Sequence, residues 1–191
     1  VIVIILNKGL IKYGGDLEVG AYGIINRVAF LFAMIVMGLN MGMQPIAGYN
    51  FGANQINRVN KVLKYTIFLA TGITTLGFII SEFIPQIVVS FFTTDVTLIE
   101  LAVQGMRIVF VFFPVVGFQM VTGNFFQSIG KAKKAIFLSL SRQVLLLLPC
   151  LLILPQFFGA KGVWYSLPTA DLLSSIIALT LLIKHYRKLN I

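Results

Sequence analysis

Long apolar runs alternate with short polar connections along this chain, and the runs have the length of membrane spans. Residues 19–47, 62–80, 109–126, 135–154 and 163–183 are each mostly apolar. About 20 such residues cross a hydrocarbon core. The expected fold class is therefore all-α: a polytopic membrane helical bundle of about five full transmembrane helices. Residues 1–6 (Val-Ile-Val-Ile-Ile-Leu) are too short to cross alone and read as the last turns of a further span. On that reading the chain is a fragment, one stub plus about five spans. Residues 7–16, with Gly14-Gly15, read as an external turn. Asp16 is a candidate N-cap for the first full helix, with Glu18 favoured in its first turn by the helix dipole. Residues 83–92 begin near Pro85, are too short to cross, and read as an interfacial or lid segment. Asp95 marks the start of another helix, with Glu100 in its early turns.

The stretch 38–54 stands out within this pattern. Gly38 and Gly42 are four apart, as are Gly48 and Gly52, a spacing that gives a helix a smooth face for close approach. Asn40 and Gln44 place amides in an otherwise apolar run, and Pro45 removes a helix hydrogen bond and is expected to bend the axis. Amides in hydrocarbon need partners, so these two should face protein or a water-filled cavity.

Composition agrees with the pattern. The chain is 58% hydrophobic and 11% charged, with mean hydropathy +0.95, where a soluble domain carries about 25% charged residues. Charge also orients the spans. Arg58, Lys61 and Lys64 follow the first full span, Lys131, Lys133 and Lys134 follow the third, and Lys184, Arg187 and Lys188 follow the fifth. The alternate connections mix Lys8 and Lys12 with Asp16 and Glu18, hold Glu82, Asp95 and Glu100, or carry Lys161 alone. Lys/Arg-rich loops lie on the cytoplasmic side, which predicts a multi-pass protein of the cell's inner (plasma) membrane with a cytoplasmic C-terminus. The net charge of +9 is then an orientation signal. No basic helix with interleaved exposed aromatics points to a nucleic-acid partner.

Several polar groups lie inside spans. Arg27 can snorkel outward or face the protein. Thr66, Thr71, Thr74 and Thr75 can bond back to the preceding turn. In the third span Gln119, Gly123 and Gln127 share one face at four-residue spacing, with Asn124 beside them and Pro114 as a kink. That face either glues helices together or lines a polar cavity. Asp171 is the acid deepest in any span, about 12 Å from its entry at 1.5 Å per residue, and Arg142 rises about 14 Å from the other side. A buried Arg142–Asp171 pair is the default expectation, and a protonatable coupling group is the alternative. Catalytic and cofactor signals are weak. One Cys (Cys150) and one His (His185, in the basic tail) provide no metal site and no disulfide. No Gly-Lys-Ser/Thr loop suggests a nucleotide motor. An intramembrane enzyme remains a remote alternative, and an anchoring subunit is disfavoured by the many intramembrane amides.

Residues 38–54, with Gln44-Pro45-Ile46 and then Gly48-Tyr49-Asn50-Phe51-Gly52-Ala53, resemble a segment in the second half of multidrug and toxin extrusion (MATE) transporters. Residues 124–135, Asn-Phe-Phe-Gln-Ser-Ile-Gly-Lys-Ala-Lys-Lys-Ala, resemble the corresponding family segment two helices later. The resemblance runs from about residue 7 to residue 189. It implies that residues 1–191 form the C-terminal lobe of a twelve-helix transporter whose N-terminal lobe lies outside this chain. It also implies a secondary antiporter rather than an enzyme, exporting small cationic or amphipathic drugs by alternating access. No cofactor is implied beyond a coupling ion, Na⁺ or H⁺, and the lipid bilayer is the other partner. Pro45, Gly48 and Gly52 match the family motif. The third span has no acid beyond Glu100 near its outer end where some members carry a cation ligand, so the resemblance allows a coupling site in the N-terminal lobe, with Asp171 as an additional protonatable candidate. The expected substrate-cavity wall is Asn40, Gln44, Gln119, Met120 and Asn124. A flippase for lipid-linked precursors or polysaccharides, of the same superfamily, is the alternative.

Overall fold

The computed structural model describes residues 2–188, and the described residues form a bundle of helices without strands. Helix α1 (Ile2–Gly14) is followed by α2 (Asp16–Gly52) and α3 (Ile56–Phe83). The short α4 (Pro85–Ser90) leads to α5 (Val96–Phe110) and α6 (Phe113–Ser128). Next come α7 (Ala132–Leu140), a π-helical stretch at Ser141–Leu147, α8 (Leu148–Phe158) and α9 (Ala160–Lys188). Helices α2 and α3, the continuous run Ala132–Phe158, and α9 are each long and apolar enough to cross a membrane. Helices α5 and α6, bent by 53° at the break between them, are long and apolar enough together to count as a fifth.

The ends of these helices follow from local chemistry. Gly15, at φ 85°, separates α1 from α2, and the Gly15 N–H donates to the carbonyls of Leu10 and Ile11. Asp95 caps α5, its Oδ1 accepting from the N–H groups of Thr97 and Leu98 at 2.9 and 3.2 Å. The turn after α6 closes with Lys131 N–H donating to the Phe126 carbonyl at 2.8 Å, around Gly130 at φ 73°. That left-handed position suits glycine, which has no Cβ to clash. It folds α7 back along α6.

Four expectations change here. The polar residues 7–16 are helical up to Gly14, since Lys8 and Lys12 lie at exposed positions and lysine tolerates a helix. Asp16 is the first residue of α2 and makes no cap bond, because Gly15 holds the N-cap position. The third span begins at Val96 rather than residue 109. Glu100, Gln104 and Arg107 make α5 look polar, yet its other face buries Ala102, Gly105 and Met106. Helix α2 remains continuous through Pro45 to Gly52. Of the four glycines in residues 38–54, only Gly48 meets another element closely. A Cβ there would sit 3.0 Å from the Ser128 carbonyl oxygen, while Gly38, Gly42 and Gly52 face open space.

Helix packing in a bilayer rests on close contact rather than on water exclusion between helices. Gly117 shows this best, since a Cβ on it would lie 2.6 Å from the Ala70 carbonyl oxygen of α3. Beside it the Thr74 hydroxyl lies 3.0 Å from the Ala70 carbonyl oxygen and 3.1 Å from that of Pro114, so its proton is shared across the joint. That contact ties α3 to the bend where Pro114 starts α6. One buried apolar cluster joins Leu6, Leu10, Ile25, Met106, Phe110 and Trp164. A second, nearer the Lys/Arg-rich end, joins Met43, Leu63, Val121, Phe125 and Phe126. Outside, Phe68, Leu69, Leu152 and Ile153 are exposed, as expected of side chains that face lipid.

Candidate functional site

The α6–α7 hairpin and the π-helical stretch that follows line a half-open cavity of about 450 Å³. From α6 it is lined by Gln119, Met120, Gly123, Asn124 and Gln127. The four-residue spacing that sets Gln119, Gly123 and Gln127 on one face therefore brings them to one wall. The opposite wall is Ala135, Ile136 and Ser139 of α7 with Arg142 and Gln143 of the π-helical stretch. The widened turn has a local cause. Pro149 lacks an N–H and its ring crowds the carbonyl one turn back. The Leu148 N–H instead reaches the Gln143 carbonyl, five residues earlier.

The polar groups around this cavity are not equivalent. Gln44 Nε2 donates to Asn124 Oδ1 at 2.9 Å, and Asn124 Nδ2 donates to the Met120 carbonyl at 3.0 Å. Asn124 is thus locked by α2 on one side and its own helix on the other. Gln119 is buried, and its Oε1 has no hydrogen-bond partner. Arg142 Nε donates to Asp171 Oδ1 at 2.7 Å, with Nη2 at 2.6 Å from the same oxygen. Asp171 on α9 is 6% exposed, whereas the Arg142 side chain is 38% exposed, on the cavity side. Residues 142 and 171 therefore meet as a salt bridge at the cavity's edge.

Of the expected cavity residues, Gln119, Met120 and Asn124 line this space, while Asn40 and Gln44 do not appear on its wall. Gln44 spends its amide on Asn124, and Asn40 is buried with both polar atoms unpaired. Ser139, Arg142 and Gln143 complete the wall. Sequence spacing within one helix could not find them, because they arrive by the fold-back at Gly130. Arg27, Glu100 and Arg107 are exposed and lie away from the wall.

Two end clusters frame the bundle. At one end Trp164 Nε1 donates to Glu18 Oε2 at 2.9 Å, tying α9 to α2. At the Lys/Arg-rich end, Lys131 Nζ sits 3.0 Å from His185 Nδ1 and 5.9 Å from the Phe51 ring centre. His185 lies in the basic tail as expected, but it is not solvated there. It is 1% exposed and stacked among the rings of Phe125, Phe126 and Tyr186.

A family model described as MatE matches residues 1–152. The multidrug export protein MepA of Staphylococcus aureus (strain bovine RF122 / ET3-1) is 28% identical over 177 residues, which is 92% of this chain and 38% of that protein. MATE multidrug transporter DinF-BH, solved in complex with a ligand, is 38% identical. It superposes with a TM-score of 0.81 over 93% of this chain and 40% of its own. A MATE structure solved in complex with MaL6 has a TM-score of 0.91 over 99% of this chain and 43% of that one. At 20% identity this last likeness speaks for the fold alone. The chain thus spans 38% of the length of the MepA relative it matches.

Proposed function

The chain belongs to the MatE family, and from that premise we propose that it forms one lobe of a two-lobed secondary exporter whose α6–α7 cavity handles the substrate. The observation that carries this reading is the cavity itself: about 450 Å³, half open at the bundle surface, lined by Gln119, Asn124, Gln127 and Gln143 beside Met120 and Ile136. Ligand sites of drug size have about this volume, an apolar body and a few convergent polar groups. Each buried amide is costly in hydrocarbon unless it has a partner. Gln119 lines this space, and its buried Oε1 is left without a hydrogen-bond partner. Gln44 and Met120 hold Asn124 in one orientation, which presents a fixed edge of its amide.

The relatives support the substrate class and the division into lobes. MepA is named as a multidrug export protein and DinF-BH as a multidrug transporter, and the chain matches about two-fifths of each. A second lobe would also account for the exposed stripe Met37, Gly38, Met41, Gly42, Pro45 and Tyr49 on α2. Glycine, proline and tyrosine are unusual choices for a lipid-facing row, whereas methionines suit adaptable contacts. The Lys/Arg-rich end lies in the cytoplasm on this reading, together with the C-terminus. Export runs by alternating access driven by inward Na⁺ or H⁺. Asp171 is the candidate coupling carboxylate, although its bond to Arg142 equally suits a structural pair.

The test is drug accumulation in sensitive cells expressing the full-length protein with Gln119→Leu or Asn124→Leu. Loss of one substrate hydrogen bond, about 1 kcal/mol, predicts export weakened roughly fivefold at equal expression. Unchanged resistance for both variants contradicts a role for this cavity.

A further inference from the structure

The cavity wall bears one kind of charge, and its sign is unexpected for an exporter of cations. Among the described lining residues Arg142 is the charged one, and no carboxylate is present. The acid next to it, Asp171, is 6% exposed and lies behind the guanidinium. A purely cationic molecule entering this space meets amide dipoles and a guanidinium, with no counter-charge on the wall.

The guanidinium is also only partly used. It has five N–H donors in a planar fork. The Nε donor and one Nη2 donor are directed at a single oxygen, Asp171 Oδ1. Among the described residues, the other three donors, two on Nη1 and one on Nη2, have no hydrogen-bond partner. The ion pair fixes the side chain's orientation from the rear, so the free edge is held in place at no cost on ligand arrival. A planar pair of donors on a preorganised Arg matches a carboxylate bidentately.

We propose that Arg142 is the docking point for a carboxylate on an amphipathic substrate, whose apolar body lies against Met120, Ala135 and Ile136. This rests on the substrate-cavity reading above and adds to it a preference for carboxylate-bearing molecules, including zwitterions, over their esters. Asp171 acts as the positioning residue for Arg142.

The test is binding to the purified full-length protein, read by fluorescence polarisation with two probes: a rhodamine free acid and the ethyl ester of the same dye. The double variant Arg142→Gln/Asp171→Asn removes the fork without stranding a buried carboxylate. It should weaken the free acid by about tenfold to a hundredfold and the ester by less than about twofold. Arg142→Lys keeps the charge and the ion pair but loses the fork, and should give an intermediate, acid-selective loss. The ester's retained affinity reports that the variants are folded. Equal weakening of both dyes, or an unchanged free acid, overturns the proposal. Gln119→Leu separates it from the underlying reading. If that variant weakens both dyes while Arg142 does not discriminate between them, the cavity reading stands and the carboxylate proposal falls. If Gln119→Leu affects neither dye, the cavity reading fails and the proposal falls with it.

Discussion

Gly117→Ala should loosen the joint on which the whole cavity wall is mounted. The added Cβ would lie 2.6 Å from the Ala70 carbonyl oxygen and 2.7 Å from Thr74 Oγ1. Ordinary contact begins at 3.4 Å, so α6 must retreat from α3 by about 0.8 Å. Neither neighbour can yield cheaply. The first is helix backbone, and the second is the hydroxyl held between the Ala70 and Pro114 carbonyls. Overpacking of this kind costs about 1–3 kcal/mol. Exchanging Gly for Ala inside a helix also gains about 1 kcal/mol, which would blur the result. Gly123→Ala supplies the control, since it lies on the same helix with nothing within 4 Å of the new Cβ. The propensity gain cancels between the two variants and leaves the clash. For a full-length protein of the MepA relative's size the shift is about 1 °C per kcal/mol, so Gly117→Ala should melt about 1–3 °C below Gly123→Ala. The assay is thermal unfolding of the purified full-length proteins in one detergent at one scan rate, because such unfolding is often irreversible. Equal midpoints, or a higher one for Gly117→Ala, would refute the close-packed joint.

Further substitutions probe other parts of the account. A double-mutant cycle on Arg142→Gln and Asp171→Asn should return a coupling of about 1–3 kcal/mol in thermal stability, with the double variant recovering much of either single loss. The value falls below that of a fully buried pair because the Arg142 side chain is 38% exposed. Glu18→Leu strands the Trp164 N–H and should cost about 1–3 kcal/mol, whereas Glu18→Gln keeps an acceptor and should cost less than half as much. Asn40→Leu replaces an amide with two unpaired buried atoms, so the midpoint should stay level or rise. A fall of several degrees would show that Asn40 has a partner.

Much of this architecture was legible in the sequence because bilayer constraints act on runs and on loops. The spans at residues 62–80, 135–154 and 163–183 fall inside α3, the α7–α8 run and α9, since only a helix satisfies its own backbone in lipid. Asp95 was legible as a cap because its oxygen has one local use. The amide face of α6 was legible because its spacing is intrahelical. Tertiary partners were not. Ser139, Arg142 and Gln143 reach the wall only through the turn at Gly130 and the π-helical widening before Pro149. The polarity of residues 7–16 suggested a turn, because exposed lysines on a short helix look the same as lysines in a loop. The burial of His185 was not legible for a similar reason. Its neighbours Lys184 and Arg187 mark a charged end, while its burial depends on Phe125, Phe126 and Lys131 from other elements.

The most direct test of the cavity as a substrate path is thiol labelling in inverted membrane vesicles that contain the full-length protein. Ser139→Cys, in a Cys150→Ser background, places the thiol on the wall opposite Gln119. Phe68→Cys, 75% exposed on the outer surface, is the lipid-facing control. A water-soluble maleimide should label the Ser139→Cys thiol readily and the Phe68→Cys thiol poorly, and saturating norfloxacin should slow the first reaction severalfold. Labelling of the Ser139→Cys thiol that is as slow as the control, or that proceeds at the same rate with and without drug, would contradict the account.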